Sequence, residues 1–270
     1  MNGSKIRLSK LCNVQKNGVI AALDAGGFFG PYPGLIDLKE TCNIVFEADA
    51  ILIEPGMISI CNDVFLKNNA PLLITRLNWN SDYCFQWNYN KSRIVKTLSP
   101  LSALSKGASL AVASLSINTV DEDLDSRNIK VFTDIIEEAE KVGLPIIAEI
   151  YPPVKDYKND EFFDLIYKSC RISVELGADA IKTFYTGESF KDLVKAIPVP
   201  VFALGGDKKE KDISSLIQAE NSIKSGAKGL VFGRNLYQAK NPNNYLKALK
   251  EIANNNLSAK QAGEKYGLSF

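Results

Sequence analysis

Short apolar runs alternate along this chain with longer stretches in which apolar residues recur every three or four positions. The runs fall at 19–23, 50–54, 72–76, 109–114, 145–150, 180–184, 199–204 and 229–233. Runs of this length, too short for a packed helix, predict strands buried on both faces. The stretches between them predict helices. In 123–142 the residues Val131, Ile135, Ile136 and Ala139 share one helical face; in 159–176 Phe162, Leu165, Ile166, Cys170, Ile172 and Val174 do the same. Segments 211–225 and 244–254 repeat the pattern. Gly143 and Gly177 stand just past two of these helices, where a C-terminal cap favours glycine.

Eight strands alternating with helices over about 250 residues is the arithmetic of an α/β chain folded as a (β/α)8 TIM barrel. An open doubly wound sheet is the alternative. No Gly/Ser-rich or Pro-rich linker divides the chain, so residues 1–270 are expected to form one domain. One segment breaks the rhythm. Residues 76–93, which would follow the third strand, hold both tryptophans, Trp79 and Trp87, with Tyr83, Phe85 and Tyr89. An insertion there lies on the face where barrel active sites are built, which suggests a lid or specificity loop. An aromatic subunit contact explains the same composition. Only Arg76, Lys91 and Arg93 add positive charge, too few for a single-strand nucleic-acid platform.

The formal charge is +1 over 270 residues. That gives no reason to expect nucleic acid or an anionic membrane as partner, and no apolar run is long enough to span a bilayer. The N-terminal residues do not resemble a signal peptide, and the five cysteines are scattered. Together these predict reduced thiols in a cytoplasmic protein, in which the glycosylation-like Asn90-Lys91-Ser92 is a chance match. There is no histidine. Its absence excludes Ser-His-Asp and Cys-His nucleophile systems and the usual histidine-built zinc and iron sites. Proton transfer is left to Tyr, Asp, Glu, Lys or Cys.

Candidate chemistry gathers at the strand ends. Lys182 is the lone charge inside Ala180-Ile181-Lys182-Thr183-Phe184. Burial there disfavours an ammonium and predicts a neutral amine able to attack a carbonyl; a lysine that snorkels to water is the plain structural alternative. Asp24 ends the first strand and Tyr151 the fifth. Strand alternation puts Glu149 on the inward face with Tyr151, and a buried carboxylate needs a partner, for which Lys182 on the next strand is a candidate. Gly205-Gly206 follow the seventh strand, and Gly233-Arg234 end the eighth and open a short helix. Paired glycine loops at these barrel positions predict a phosphate site, although either pair alone would read as a tight turn.

The same pieces resemble the archaeal-type class I fructose-bisphosphate aldolases within the DeoC/LacD aldolase superfamily. The resemblance runs in order through Leu23-Asp24-Ala25-Gly26, Ile150-Tyr151-Pro152, the run from Glu175 to Gly187 around Lys182, Ala203-Leu204-Gly205-Gly206, and the run from Gly226 to Asn235. It implies a TIM barrel that needs no metal or other cofactor, assembled as a homo-oligomer such as a decameric ring. It implies Lys182 as the Schiff-base residue, Tyr151 as general acid/base, Asp24 as the group orienting substrate hydroxyls and the amine, and the two glycine loops with Arg234 as the phosphate holder. Three positions depart from the family pattern: Ala25 stands for a histidine, Glu149 for a tryptophan and Pro153 for an arginine.

The function expected is metal-independent cleavage or formation of a carbon–carbon bond in a phosphorylated ketose, with fructose 1,6-bisphosphate the substrate the resemblance implies. Two alternatives remain open. One is a related transferase, either a transaldolase-type synthase like the amino-dideoxy-heptulosonate synthases or a thiolase acting on a phosphorylated autoinducer. The other is a phosphosugar-binding barrel without catalysis.

Overall fold

The computed structural model describes residues 2–153 and 157–269. Eight parallel strands close into a barrel: β1 (Gly18–Ala22), β2 (Ala50–Ile53), β3 (Leu72–Arg76), β6 (Leu110–Leu115), β7 (Ile146–Ile150), β8 (Ala180–Phe184), β9 (Val201–Leu204) and β10 (Gly229–Phe232). β10 pairs with β1 through Gly18 and Gly229, which shuts the ring. The expected strands are thus found within one or two residues, and the open sheet is excluded. The remaining two strands, β4 (Asn78–Asn80) and β5 (Ile94–Lys96), form an antiparallel ribbon outside the barrel. They come from the aromatic segment and its end, which carries no strand-like alternation.

The helices pack around the ring because each has one apolar face. In Glu122–Val142 the buried positions Leu124, Phe132, Ile135, Ile136 and Ala139 fall on one stripe, and Gly143 ends the helix in the left-handed conformation at φ 67°. Asp121 caps its start by accepting from the Leu124 amide. Asn159–Glu175, Asp212–Lys224 and Pro242–Asn254 follow the same rule. The N-terminal helix Asn2–Leu11 does something different. Leu11 and Cys12 pack with Ile20, Leu52, Ile74, Val112, Ile147, Phe202 and Val231, so the end of this helix plugs the lower end of the barrel interior.

Inward side chains alternate with outward ones, as a pleated strand requires. The inward series reads Ile20 and Ala22 on β1, Ala50 and Leu52 on β2, Ile74 and Arg76 on β3, Val112 and Ser114 on β6, Ile147 and Glu149 on β7, and Ala180 and Lys182 on β8. Going up the barrel, the apolar layer gives way to a charged one within a single step of two residues. No helix among the described residues is long and apolar enough to cross a membrane.

Candidate active site

The upper layer is organised by register. Ser114 on β6 is the Cα partner of Glu149 on β7, and Glu149 is the partner of Lys182 on β8. In parallel strands such partners share a face, so the three side chains stand in one inward row. The Lys182 Nζ contacts Glu149 Oε1, and both residues are only 4% exposed. Lys182 was expected to be desolvated among Ala, Ile and Phe, with Glu149 on the adjacent strand as a candidate partner. The structure shows both: the amine is buried, and the Glu149 carboxylate meets it from the adjacent strand.

Arg76 ties the row to the first strand. Expected both to end the third strand and to open the aromatic segment, it is the last residue of β3, buried inside the barrel. Its Nη2 lies 2.6 Å from Asp24 Oδ2 and 2.6 Å from Glu149 Oε2, its Nε donates to Asp24 Oδ2 at 3.0 Å, and its Nη1 donates to Ser114 Oγ at 2.7 Å. The rings of Phe28 and Tyr83 each lie 5.2 Å from its Cζ, close enough for cation–π attraction. Burial disfavours the guanidinium charge, but Glu149 and Asp24 outweigh it and hold Arg76 firmly protonated. Burial likewise pushes the Glu149 carboxyl up, and Arg76 and Lys182 more than reverse this, keeping it well below the usual carboxylate range.

A third carboxylate was also missed. Glu54 follows β2 and leans toward Arg76, with Oε1 3.6 Å from Nε, too far for a hydrogen bond. That buried Oε1 has no hydrogen-bond partner. Burial dominates and raises the Glu54 carboxyl to about 7. Gly27 makes room for it, since a Cβ there would lie 2.6 Å from Glu54 Oε1.

The aromatic segment divides between two tasks. Tyr83 turns back into the barrel mouth, where its hydroxyl lies 3.0 Å from Ser114 Oγ. A buried polar network holds it there. Asn78 exchanges hydrogen bonds with the Ser114 backbone in the manner of a strand, and Ser116 Oγ donates to Asp82 Oδ2 at 2.6 Å. Phe85 also lines the pocket. Trp87 and Tyr89 instead face outward and are 54% and 44% exposed.

Tyr151 stands above the charged row, two residues beyond Glu149. Its ring packs edge-on against Tyr83 at 4.6 Å and Phe184 at 5.2 Å. Burial pushes its phenol above the ordinary tyrosine value, so it rests protonated. At the rim, Gly206 adopts φ 69°, and a Cβ on Gly205 would lie 2.8 Å from the Phe232 ring. Asn235 ties the two glycine loops together by donating to the Gly205 and Asp207 carbonyls and accepting from the Lys209 amide. Arg234 starts the short helix Arg234–Tyr237 and pairs with Asp207 at 2.7 Å.

Asp24, Glu149, Tyr151, Lys182, Gly205, Gly206, Gly233 and Arg234 therefore line one pocket, together with Arg76, Tyr83, Phe28, Phe29, Phe85 and Phe184. It encloses about 680 Å³ of space, counted out into its open mouth. Among the described residues no group of three or more His, Cys, Asp or Glu is arranged to hold a metal ion.

The fold is thus a closed parallel barrel whose C-terminal mouth is lined by a buried, ion-paired lysine and a tyrosine. The family model for the DeoC/LacD family aldolases matches residues 18–239, and the chain belongs to that family. An aldolase of Saccharolobus solfataricus, described as uncharacterized, is 30% identical over 271 residues, covering 97% of this chain and 98% of the relative. The 3-hydroxy-5-phosphonooxypentane-2,4-dione thiolase of Escherichia coli O139:H28 is 29% identical, covering 98% of this chain and 87% of the relative. Among solved structures, an archaeal fructose 1,6-bisphosphate aldolase superposes with a TM-score of 0.81 at 24% identity, over 93% of this chain and 99% of the other. A Schiff base-forming fructose-1,6-bisphosphate aldolase gives 0.80 at 24% identity, with the same coverage. At that identity these two structures speak to the fold.

Proposed function

We propose that this aldolase works through a Schiff base on Lys182 and acts on a phosphorylated ketose. The observation that carries the reading is the Lys182 amine at the floor of an open pocket, in contact with Glu149 and below Tyr151. Lys182 releases its proton to water in the open pocket, and the neutral amine adds to the substrate ketone. Loss of water, with a proton returned to the departing oxygen, leaves an iminium. That iminium accepts the electron pair released when the carbon–carbon bond breaks, which leaves an enamine and a free aldehyde. Tyr151, after its own phenol proton has passed to water at the open mouth, takes the proton of the hydroxyl on the departing carbon. In the addition direction its resting phenol supplies that proton to the new alkoxide. Asp24, held by Arg76, orients substrate hydroxyls beside the amine.

The phosphate is assigned to the loops of Gly205-Gly206 and Gly233-Arg234. Support comes from the positive φ of Gly206, the helix start at Arg234 and the guanidinium at the rim. Phosphate would have to draw Arg234 from its pair with the exposed Asp207. Fructose 1,6-bisphosphate is the first substrate to try. The thiolase relative favours a second reading, in which the same lysine handles a phosphorylated diketone and the acyl group passes to a thiol. Turnover of a panel of phosphorylated ketoses, with and without a thiol acceptor, separates the two. Release of glyceraldehyde 3-phosphate from the bisphosphate supports the aldolase, and thiol-dependent consumption supports the thiolase. Loss of neither substrate under any condition would leave the pocket as a phosphosugar-binding site. Homo-oligomeric assembly is supported by the outward Trp87 and Tyr89, and a cytoplasmic location by five free, buried cysteines.

A further inference from the structure

Three carboxylates, Asp24, Glu54 and Glu149, surround one guanidinium, and only one of them also touches Lys182. The division of charge between Arg76 and Lys182 therefore bears directly on the amine. With Arg76 in place, Glu149 Oε2 is spent on the guanidinium while Oε1 meets the lysine. Without it, Glu149 and Asp24 would both be left as buried anions with Lys182 as the nearest cation. An ammonium flanked by uncompensated carboxylates is hard to deprotonate.

We infer that Arg76 is a positioning residue for the amine: by bridging Asp24 and Glu149 it fixes both carboxylates and withholds enough of their charge for Lys182 to release its proton. The inference rests on the Schiff-base reading of Lys182 for its functional meaning, but not for its test. Among the described residues, the groups around Arg76 and the amine are Asp24 beyond β1, Glu54 beyond β2, Ser114 on β6, Glu149 and Tyr151 on and beyond β7, and Tyr83 from the aromatic segment. Arg234, with Asp207, stands at the rim. Among the described residues, Arg76 is the only cation among the inward groups of this row besides Lys182 itself. Its geometry is specific to a guanidinium, because one planar fork reaches two carboxylates and Ser114 at once. A lysine at this position would supply charge from a single nitrogen.

The test reads the amine directly and needs no natural substrate. Formaldehyde condenses with a neutral amine, and cyanoborohydride reduces the iminium, so Lys182 gains methyl groups only as fast as it is deprotonated. Its rate of methylation is followed by peptide mass spectrometry from pH 6 to pH 10 in the wild type, Arg76→Gln, Arg76→Lys, Glu149→Gln and the Arg76→Gln/Glu149→Gln double variant. For Arg76→Gln the pH midpoint is expected to rise by about one unit or more, which is about tenfold slower methylation at a pH below both midpoints. Arg76→Lys should fall between it and the wild type. Glu149→Gln should move the midpoint down, and the double variant should return toward the wild type.

A merely structural arginine predicts a different result: fewer reactive molecules, with the midpoint unmoved. An unmoved midpoint in both Arg76 variants overturns the proposal. So does a downward shift in Arg76→Gln. Arg76→Lys keeps the test alive should the glutamine variant fold poorly. The ketose panel fails independently: a shifted midpoint without turnover of any phosphorylated ketose would retain the role of Arg76 and reject the proposed substrate class.

Discussion

On β7 the inward side chain is isoleucine at Ile147 and glutamate at Glu149. On β8 the pair is Ala180 and Lys182, and on β3 it is Ile74 and Arg76. The same strands, on the same inward face, thus carry two layers about 6–7 Å apart that differ in everything but position. The lower layer is apolar and is closed from below by Leu11 and Cys12. The upper layer is charged, hydrogen-bonded and open to a pocket. Burying the lower layer stabilises the fold through area removed from water. The upper layer works against the fold, because desolvating an ion pair costs as much as or more than its attraction returns. Its retention is explained by chemistry: the arrangement leaves one amine held between a carboxylate and an open mouth. The two layers should therefore separate cleanly under mutation, with chemistry lost above and stability lost below.

The largest effect is expected from Lys182→Ala, which removes the covalent step. Turnover should vanish while the melting temperature stays near the wild type, because Glu149 keeps Arg76 as its partner. Steady-state assay and thermal unfolding report the two halves of that statement. Tyr151→Phe comes next. It should slow turnover by about 10²–10⁴-fold, the span of general acid–base catalysis, without preventing imine formation, and single-turnover trapping measures that separation. In the lower layer, Phe202→Ala should cost about 3–5 kcal/mol of stability. Activity per folded molecule should be unchanged, as denaturant titration alongside active-site counting would show.

Glu54→Gln sharpens the comparison through pH. The Glu54 carboxyl is raised from an ordinary 4.5 to about 7 by burial. The folded protein therefore binds more protons than the unfolded chain between those values. By linkage, stability falls as pH rises from about 4.5 through 7, by about 3 kcal/mol in all. The glutamine variant lacks this penalty, so its advantage over the wild type should be larger at pH 8 than at pH 4. Melting curves at the two values check the sign. The smallest effect is expected at the rim. Arg234→Ala should raise KM for a phosphorylated substrate by about ten- to a hundredfold, the worth of one charge-assisted hydrogen bond. An unphosphorylated analogue should be affected little; equal loss for both would mark Arg234 as structural.

Much of this arrangement was legible in the residues. The eight apolar runs locate the barrel strands because strands buried on both faces must be apolar throughout. Lys182 stands out as a charge where none is tolerated without a reason. Alternation placed Glu149 inward beside it, and the strand register brings the two into contact. Arg76 and Glu54 carried the same signal. Each stands at the end of an apolar run and in phase with the inward residues Ile74 and Leu52. Arg76 was placed at the end of its strand, where it is found, but it was weighed only as positive charge in the aromatic segment that also begins there. Tyr83 had no such signal. It reaches the site only through a ribbon whose strands pair across a long loop, held by Asn78 and Ser116, and no local period encodes that return. What alternation on these two strands could not show is the second hold on that carboxylate, by Arg76 from β3.

The central claim is that Lys182 is the residue that becomes covalently attached to substrate. Borohydride reduction during turnover of a phosphorylated ketose, followed by peptide mapping, tests it most directly. The account predicts the mass of the reduced adduct on the peptide that carries Lys182, and no adduct anywhere in Lys182→Ala. Adduct on a different lysine, with turnover surviving in Lys182→Ala, would contradict it.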